Sequence, residues 1–386
     1  MEKNLLLALL FNITFLSCDK GDSITPPIKQ NQPPEEHQTF VNVPNDFSTI
    51  QSAIDDAKSG DTILVEPGTY NENIDFKGKN VLLTSKFFEN RDIAFISSTI
   101  ITGTGGSVVK FMTGESRGAI LQGFTITGGT GDVYTRPNGN ITLGGGGILG
   151  LESSPTIQYN IVEGNESIDT SGPNSFAGGA GIRLELGAPL LRNNVVRNNT
   201  GNFGGGIFLD ATAAVVTNNL IAGNNAVLEQ FGGGGGLYLD FVNPGSDGNK
   251  VFNNTIVNNA SKGEGGGLVL AGSTVYEKLE FVNNIIFANE NEEVFARLDA
   301  ELEDFELLYC LIEGGVPSGS NNLDDDPLLT ESNYLLDPNS PCIDAGSPQA
   351  IYNDKSDGDN AIAPAMGSSR NDIGAYGGPD ALKIIP

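Results

Sequence analysis

Tryptophan is absent from this 386-residue chain, histidine occurs once and cysteine three times. The lone histidine, His37, lies in the Pro-rich polar stretch CDKGDSITPPIKQNQPPEEHQTF, so no folded segment offers an imidazole. That disfavours Ser–His–Asp and Cys–His catalysis and His-ligated zinc. Positive charge is scarce as well: 21 Lys and Arg stand against 48 Asp and Glu, a net charge of −27. A general affinity for nucleic acid or for an anionic membrane surface needs Lys and Arg clusters and is excluded. A polyanionic substrate would need a bridging cation such as Ca²⁺. Long apolar runs are missing too. The most apolar segment, Leu5 to Leu16, is too short for a comfortable membrane span.

That segment has neighbours that give it meaning. MEKNLLLALLFNITFLSC places Lys3 before the apolar core and small Ser17 before Cys18. It resembles a bacterial lipoprotein signal, in which Cys18 becomes the lipidated first residue. Phe15 departs from that pattern, where Leu is the rule three residues before the cysteine. An ordinary signal peptide is the alternative, and either one exports the chain. The expectation is a protein lipid-anchored to the outer membrane, at the cell surface, acting as a monomer. Residues 1–18 are then the signal and 19–40 a tether, polar and without apolar period. Cys310 and Cys342 remain in one C-terminal region. In an exported protein they form either a disulfide or two buried free thiols.

Glycine, by contrast, is plentiful at 51 residues, and it is arranged. GGAGIRLE (178–185), FGGGIFLD (203–210) and GGGGLYLD (233–240) repeat one pattern, a glycine run followed by alternating apolar residues and an acid. Its first apolar residue recurs at Ile148, Ile182, Ile207, Leu237 and Leu268, at spacings of 34, 25, 30 and 31 residues. A second short strand follows each one, carrying Asn160, Asn194, Asn219, Asn254 and Asn284 at equivalent places. Two or three short strands per 25 to 34 residues is one turn of a solenoid. The glycines and the lack of 3.6 periodicity exclude helical repeats. Equivalent Asn side chains in stacked coils could hydrogen-bond as a ladder. Ahead of the coils, Ile50, Ala53, Ile54 and Ala57 keep helical spacing, which predicts a short helix capping the open sheet end.

The opening TILVEPGTY, the GGGI coils and the NN-V/I-x-x-N coils resemble right-handed parallel β-helix proteins of the pectate-lyase-like superfamily. The end of the chain, DPLLTESNYLLDPNSPCIDAG followed by RNDIGAYGG, resembles the closing segment of exported bacterial members. The resemblance implies an all-β fold: a single-stranded, right-handed parallel β-helix over 41–315, with a short N-terminal capping helix and an irregular C-terminal cap over 316–386. It does not choose among lyases, hydrolases, esterases and adhesins.

Strand parity locates the chemistry. With Ile182, Ile207 and Leu237 inward, Arg183, Phe208 and Tyr238 emerge as one outward column and Glu185, Asp210 and Asp240 as a second. Lys110 extends the Arg183 column, with Leu149 between. Neighbouring coils lie about 4.8 Å apart, so three carboxylates stack on one wall. Three readings follow. The acids perform acid–base work on a glycosidic bond, as the resemblance to β-helix hydrolases implies. Or they hold Ca²⁺ for a lyase, with Arg183 or Lys110 as the base that resemblance implies. Or they are solvated acids on an acidic surface. Phe208 and Tyr238 offer exposed rings for a sugar face. The expected partner is therefore an extracellular polysaccharide, either cleaved or, in a non-catalytic adhesive protein, only bound. Insertions at Thr130–Leu143 and Asn165–Ala177 are expected to wall the groove. NNLDDDP (321–327) lacks EF-hand spacing and reads as turn chemistry, and Arg370 and Asp372 are expected to pair.

Overall fold

The structure is a computed structural model that describes residues 39–170, 177–229, 233–240, 248–272, 279–297, 302, 305–316 and 319–383. The signal segment, Cys18, His37 and all but the last two residues of the tether lie outside the described residues. The described chain is a right-handed parallel β-helix. Three parallel sheets form its walls, of ten, nine and eight strands among the described residues. One coil runs through Leu190–Arg192 of the first sheet, Val195–Arg197 of the second and Ile207–Asp210 of the third. Its strands then pair with Val215–Thr217, Leu220–Ala222 and Leu237–Asp240 of the next coil.

The wall strands are only two to four residues long because each has one task, to place one or two aliphatics inward. Ile148, Ile182, Ile207, Leu237 and Leu268 are fully buried, and Leu184, Leu209, Leu239 and Leu270 almost so. They belong to one continuous core from Val41 to Ile312. No coil encloses that core alone, so burial is shared between neighbours. The glycine runs have a steric cause. Gly204 has φ of 48°, and a Cβ on Gly206 would stand 2.5 Å from the carbonyl oxygen of Gly236. Successive coils touch there backbone to backbone, and only hydrogen fits.

The Asn-Asn pairs at the bend between the first and second sheets divide the labour. The second Asn points inward and builds the ladder. The Asn160 amide group donates to Asn194 Oδ1, Asn194 to Asn219, Asn219 to Asn254 and Asn254 to Asn284, at 2.9–3.2 Å. Cys310 ends it, accepting the Asn284 N–H. A parallel ladder that the sequence reading missed runs Asn165, Asn199, Asn224, Asn259 and Asn289 at the next bend. The first Asn of each pair points outward. Asn193, Asn218, Asn253 and Asn283 have φ of 50–59°, the left-handed region that Asn tolerates.

Those outward amides hold the C-terminal segment, which turns back along the helix rather than only plugging its end. Asn193 donates to the Asp380 carbonyl, Asn218 to those of Ala375 and Gly377, and Asn253 to that of Asp372. Beneath the segment, Leu336, Cys342 and Ile373 join Ile161, Val195, Leu220, Ile285 and Leu311 in a second apolar layer on the outside of the second sheet. Cys310 lies in the inner core and Cys342 in this outer layer, so the wall of the sheet stands between them. Both are free thiols, and burial pushes each up to about 12. The disulfide alternative is thereby corrected. Arg370 donates to the carbonyl of Gly346, while Asp372 accepts the Asp344 and Met366 N–H groups, so the expected pairing of these two is not made. In NNLDDDP the side chains do cap backbone: Asn322 accepts from Cys310, Asp324 from Gly314 and Asp326 from Leu328. At the other end the helix Ile50–Asp56 closes the core with Ile50, Ala53 and Ile54, and Glu72 accepts its first two N–H groups.

Candidate functional site

The third sheet carries the predicted columns in the predicted register. Glu185, Asp210 and Asp240 are consecutive partners, as are Arg183, Phe208 and Tyr238. Lys110, Leu149 and Arg183 continue the second column backward. The acid column ends through Ala271 at Arg297, a cation the sequence reading did not include.

The wall is not open, which corrects the expectation of a solvent-facing groove. The insertion after Thr130 folds as an antiparallel hairpin, Asp132–Thr135 with Ile141–Gly144, and lies on the columns. Glu185 is 0% exposed, Asp210 2% and Arg183 1%. The Tyr134 hydroxyl donates to Glu185, and Arg136 donates to both Glu185 and Asp210. Arg183 donates to Glu185 at 2.7 Å, and its guanidinium lies 4.5 Å from the centre of the Phe208 ring. Phe208 and Tyr238 stack at 4.9 Å between centroids, yet both are buried, so they are packing surfaces and not exposed sugar platforms. Lys110 is drawn to Asp132 at the hairpin base, 3.1 Å away. Tyr134 and Arg136 had a signal in sequence: VYTR and ITL alternate about PNGN, a hairpin pattern.

The two bases proposed for a lyase are thus both paired with acids. Calcium fits poorly for the same reason. Its expected ligands Glu185 and Asp210 are engaged by guanidinium groups, and no group of three or more His, Cys, Asp or Glu among the described residues is placed to hold a metal ion.

Electrostatics separates the three acids. Burial opposes the charge on Glu185, but Arg183, Tyr134 and Arg136 outweigh it and hold the carboxyl below its ordinary range. For Asp210, burial and the nearby Glu185 charge win over Arg136, and its carboxyl is pushed up to about 6. For Asp240, burial and the Asp210 charge push it up to about 8. Near pH 7 the column therefore reads carboxylate, carboxylate, carboxylic acid. Glu185 and Asp210 offset Arg183 and Arg136, and Asp240 keeps its proton. Asp240 is the partly exposed member, Arg297 and Tyr238 stand beside it, and its Oδ1, itself buried, has no hydrogen-bond partner among the described residues. An acid that holds a proton next to a carboxylate that does not is the arrangement general acid–base chemistry requires.

Residues 73–243 match the family described as right handed beta helix region. No curated protein matches the chain. Among solved structures, the crystal structure of the pectin methylesterase from Aspergillus niger covers 77% of this chain and 89% of its own, at 12% identity and a TM-score of 0.44. At that level the likeness carries no chemistry across.

Proposed function

We propose that this chain is an exported, lipid-anchored protein, attached through Cys18 at the outer membrane, that binds and hydrolyses an extracellular polysaccharide at the Asp210–Asp240 end of the acid column. The observation that carries the reading is the contrast between these in-register neighbours. Asp240 is protonated with an unpartnered oxygen, and Asp210 is held ionised by Arg136. Asp240 acts as general acid, giving its proton to the glycosidic oxygen as that bond breaks. Asp210, one coil away at about 5 Å, acts as nucleophile on the sugar carbon, and Asp240, ionised once its proton has gone to the leaving group, then takes a proton from the water that releases the sugar. Glu185 and Arg183 serve as the fixed charges that hold the column. A hydrolase is favoured over a lyase because Arg183 and Lys110 are each committed to an acid.

The test is a panel of polysaccharides incubated at pH 7, with and without EDTA, followed by reducing ends and by the ultraviolet band of unsaturated uronates. Reducing ends rise without the ultraviolet band and irrespective of EDTA, and Asp240→Asn slows their release by about 10²- to 10⁴-fold. An unchanged rate in Asp240→Asn overturns the assignment. The second reading, a non-catalytic carbohydrate-binding or adhesive protein, is favoured by the closure of Glu185 and Asp210 beneath the hairpin. It predicts retardation in a polysaccharide gel with no product, unaltered by Asp240→Asn.

A further inference from the structure

On the outside of the first sheet, two arginines converge on one tyrosine. The Arg91 guanidinium carbon lies 5.0 Å from the centre of the Tyr159 ring and 5.2 Å from that of Phe87. The Arg192 guanidinium carbon lies 6.0 Å from the same Tyr159 ring. Neither arginine has a carboxylate within 4.0 Å among the described residues. In a chain of net charge −27, two uncompensated guanidinium groups around a single ring are a local reversal of sign.

The way Arg192 is held gives this meaning. Its Nε donates to Gln158 Oε1 at 2.6 Å, Gln158 donates to Gln122 at 2.7 Å, and Gln122 donates to Thr84 at 3.1 Å. Thr84, Gln122 and Gln158 are buried, so the relay fixes which atom Gln158 presents. The same two coils make the equivalent pairing five residues later, where Arg197 Nε donates to Glu163 at 2.6 Å. There the acceptor is an acid and the charge is cancelled. At Gln158 the geometry is the same and the acceptor is neutral, so Arg192 is oriented while its charge and outer N–H groups remain available. A planar fork with uncommitted donors suits a carboxylate. Two residues back on the same strand, half-exposed Leu190 lies in register with half-exposed Val215 on one side and, across the buried Thr156, with half-exposed Ile120 on the other, apolar surface for the carbon face of a sugar ring.

We propose that Arg91, Tyr159 and Arg192 form a second glycan-binding site, outside the acid column, that captures the carboxylate of an acidic sugar. The site does not rest on the catalytic reading, and it gives an otherwise acidic protein a point of attachment for a uronate-bearing chain.

The experiment is calorimetric titration of the full chain with tetragalacturonate, with a neutral tetrasaccharide and with inorganic sulfate. Tetragalacturonate binds, while the neutral sugar and sulfate do not bind measurably. Arg91→Ala and Arg192→Ala each weaken binding about tenfold or more, as loss of a charge-assisted hydrogen bond implies. Gln158→Glu copies the Glu163–Arg197 pair, with the Gln122 amide turning over to donate to the new carboxylate, and it weakens binding by a similar factor through cancelling the Arg192 charge. Absence of tetragalacturonate binding, binding unaffected by Gln158→Glu and both arginine variants, or sulfate binding of equal strength would each overturn the proposal.

Discussion

Two stacks of polar side chains run along this β-helix with the same repeat, one inside and one outside, and they solve the problem of stacking in opposite ways. Inside, Asn160 to Asn284 sit fully buried with no charged partner. Outside, Glu185, Asp210 and Asp240 need two arginines, a tyrosine from a separate hairpin and a retained proton. The difference lies in what an amide and a carboxylate can do. An amide donates and accepts, so each Asn satisfies the next, and the row has no net charge to resolve. A carboxylate only accepts, so a row of them repels unless cations or protons enter. A ladder of amides is therefore self-sufficient and structural. A column of acids is dependent on its surroundings, and that dependence is what splits its proton affinities.

The sharpest way to break the comparison is to move the outer chemistry inside. Asn219→Asp removes the donors that reach Asn254, Leu191 and Thr217 and leaves a carboxylate with no cation. Destabilisation of about 5 kcal/mol is expected, read as a fall in the urea midpoint or as loss of folding. A change below about 1 kcal/mol would mean the ladder is not held by amide pairing. Next in size is Glu185→Ala, which strips the buried Arg183 of its acid. It should cost about 3–5 kcal/mol by the same measurement, because an uncompensated buried charge remains.

The smallest effect is Asp240→Asn, which replaces a group already neutral at pH 7 by a near-isostere. Stability at pH 6 should stay within about 1 kcal/mol of the parent. The pH dependence changes instead. A folded carboxyl raised from 3.8 to about 8 contributes stability that is full at low pH and is lost as pH rises through about 8. The parent should therefore lose stability between pH 6 and 8, and Asp240→Asn should lose less. Asp354 and Glu293, each pushed up to about 7, keep the remainder of the slope. Identical slopes would show that Asp240 is ionised throughout.

Much of the fold was legible in advance, because its causes are local. The alternation of Ile182, Leu184 and their successors, the glycines that permit contact between coils, and the inward Asn row all follow from parity and repetition. The second Asn row was equally visible, at Asn165, Asn199, Asn224, Asn259 and Asn289, each five residues after a member of the first, and was overlooked. The site was legible in half. Parity placed Glu185, Asp210 and Asp240 on one wall and Arg183, Phe208 and Tyr238 beside them. It did not reveal that Tyr134 and Arg136, some fifty and seventy residues earlier in sequence, complete the cluster. Nor did it reveal that the C-terminal segment returns along the outward Asn residues, a contact spanning 187 residues between Asn193 and Asp380.

The sequence by itself determined the winding, the contents of the interior and the alignment of the acids, since a period-two strand in a repeating coil leaves each side chain only one side to occupy. Tertiary structure alone decided that the aligned acids are covered, which of them are neutralised by arginine and which keeps its proton. Those outcomes depend on a hairpin folding across distant coils, and electrostatic energy is set by neighbours in space and by exclusion of water, neither of which spacing along the chain records.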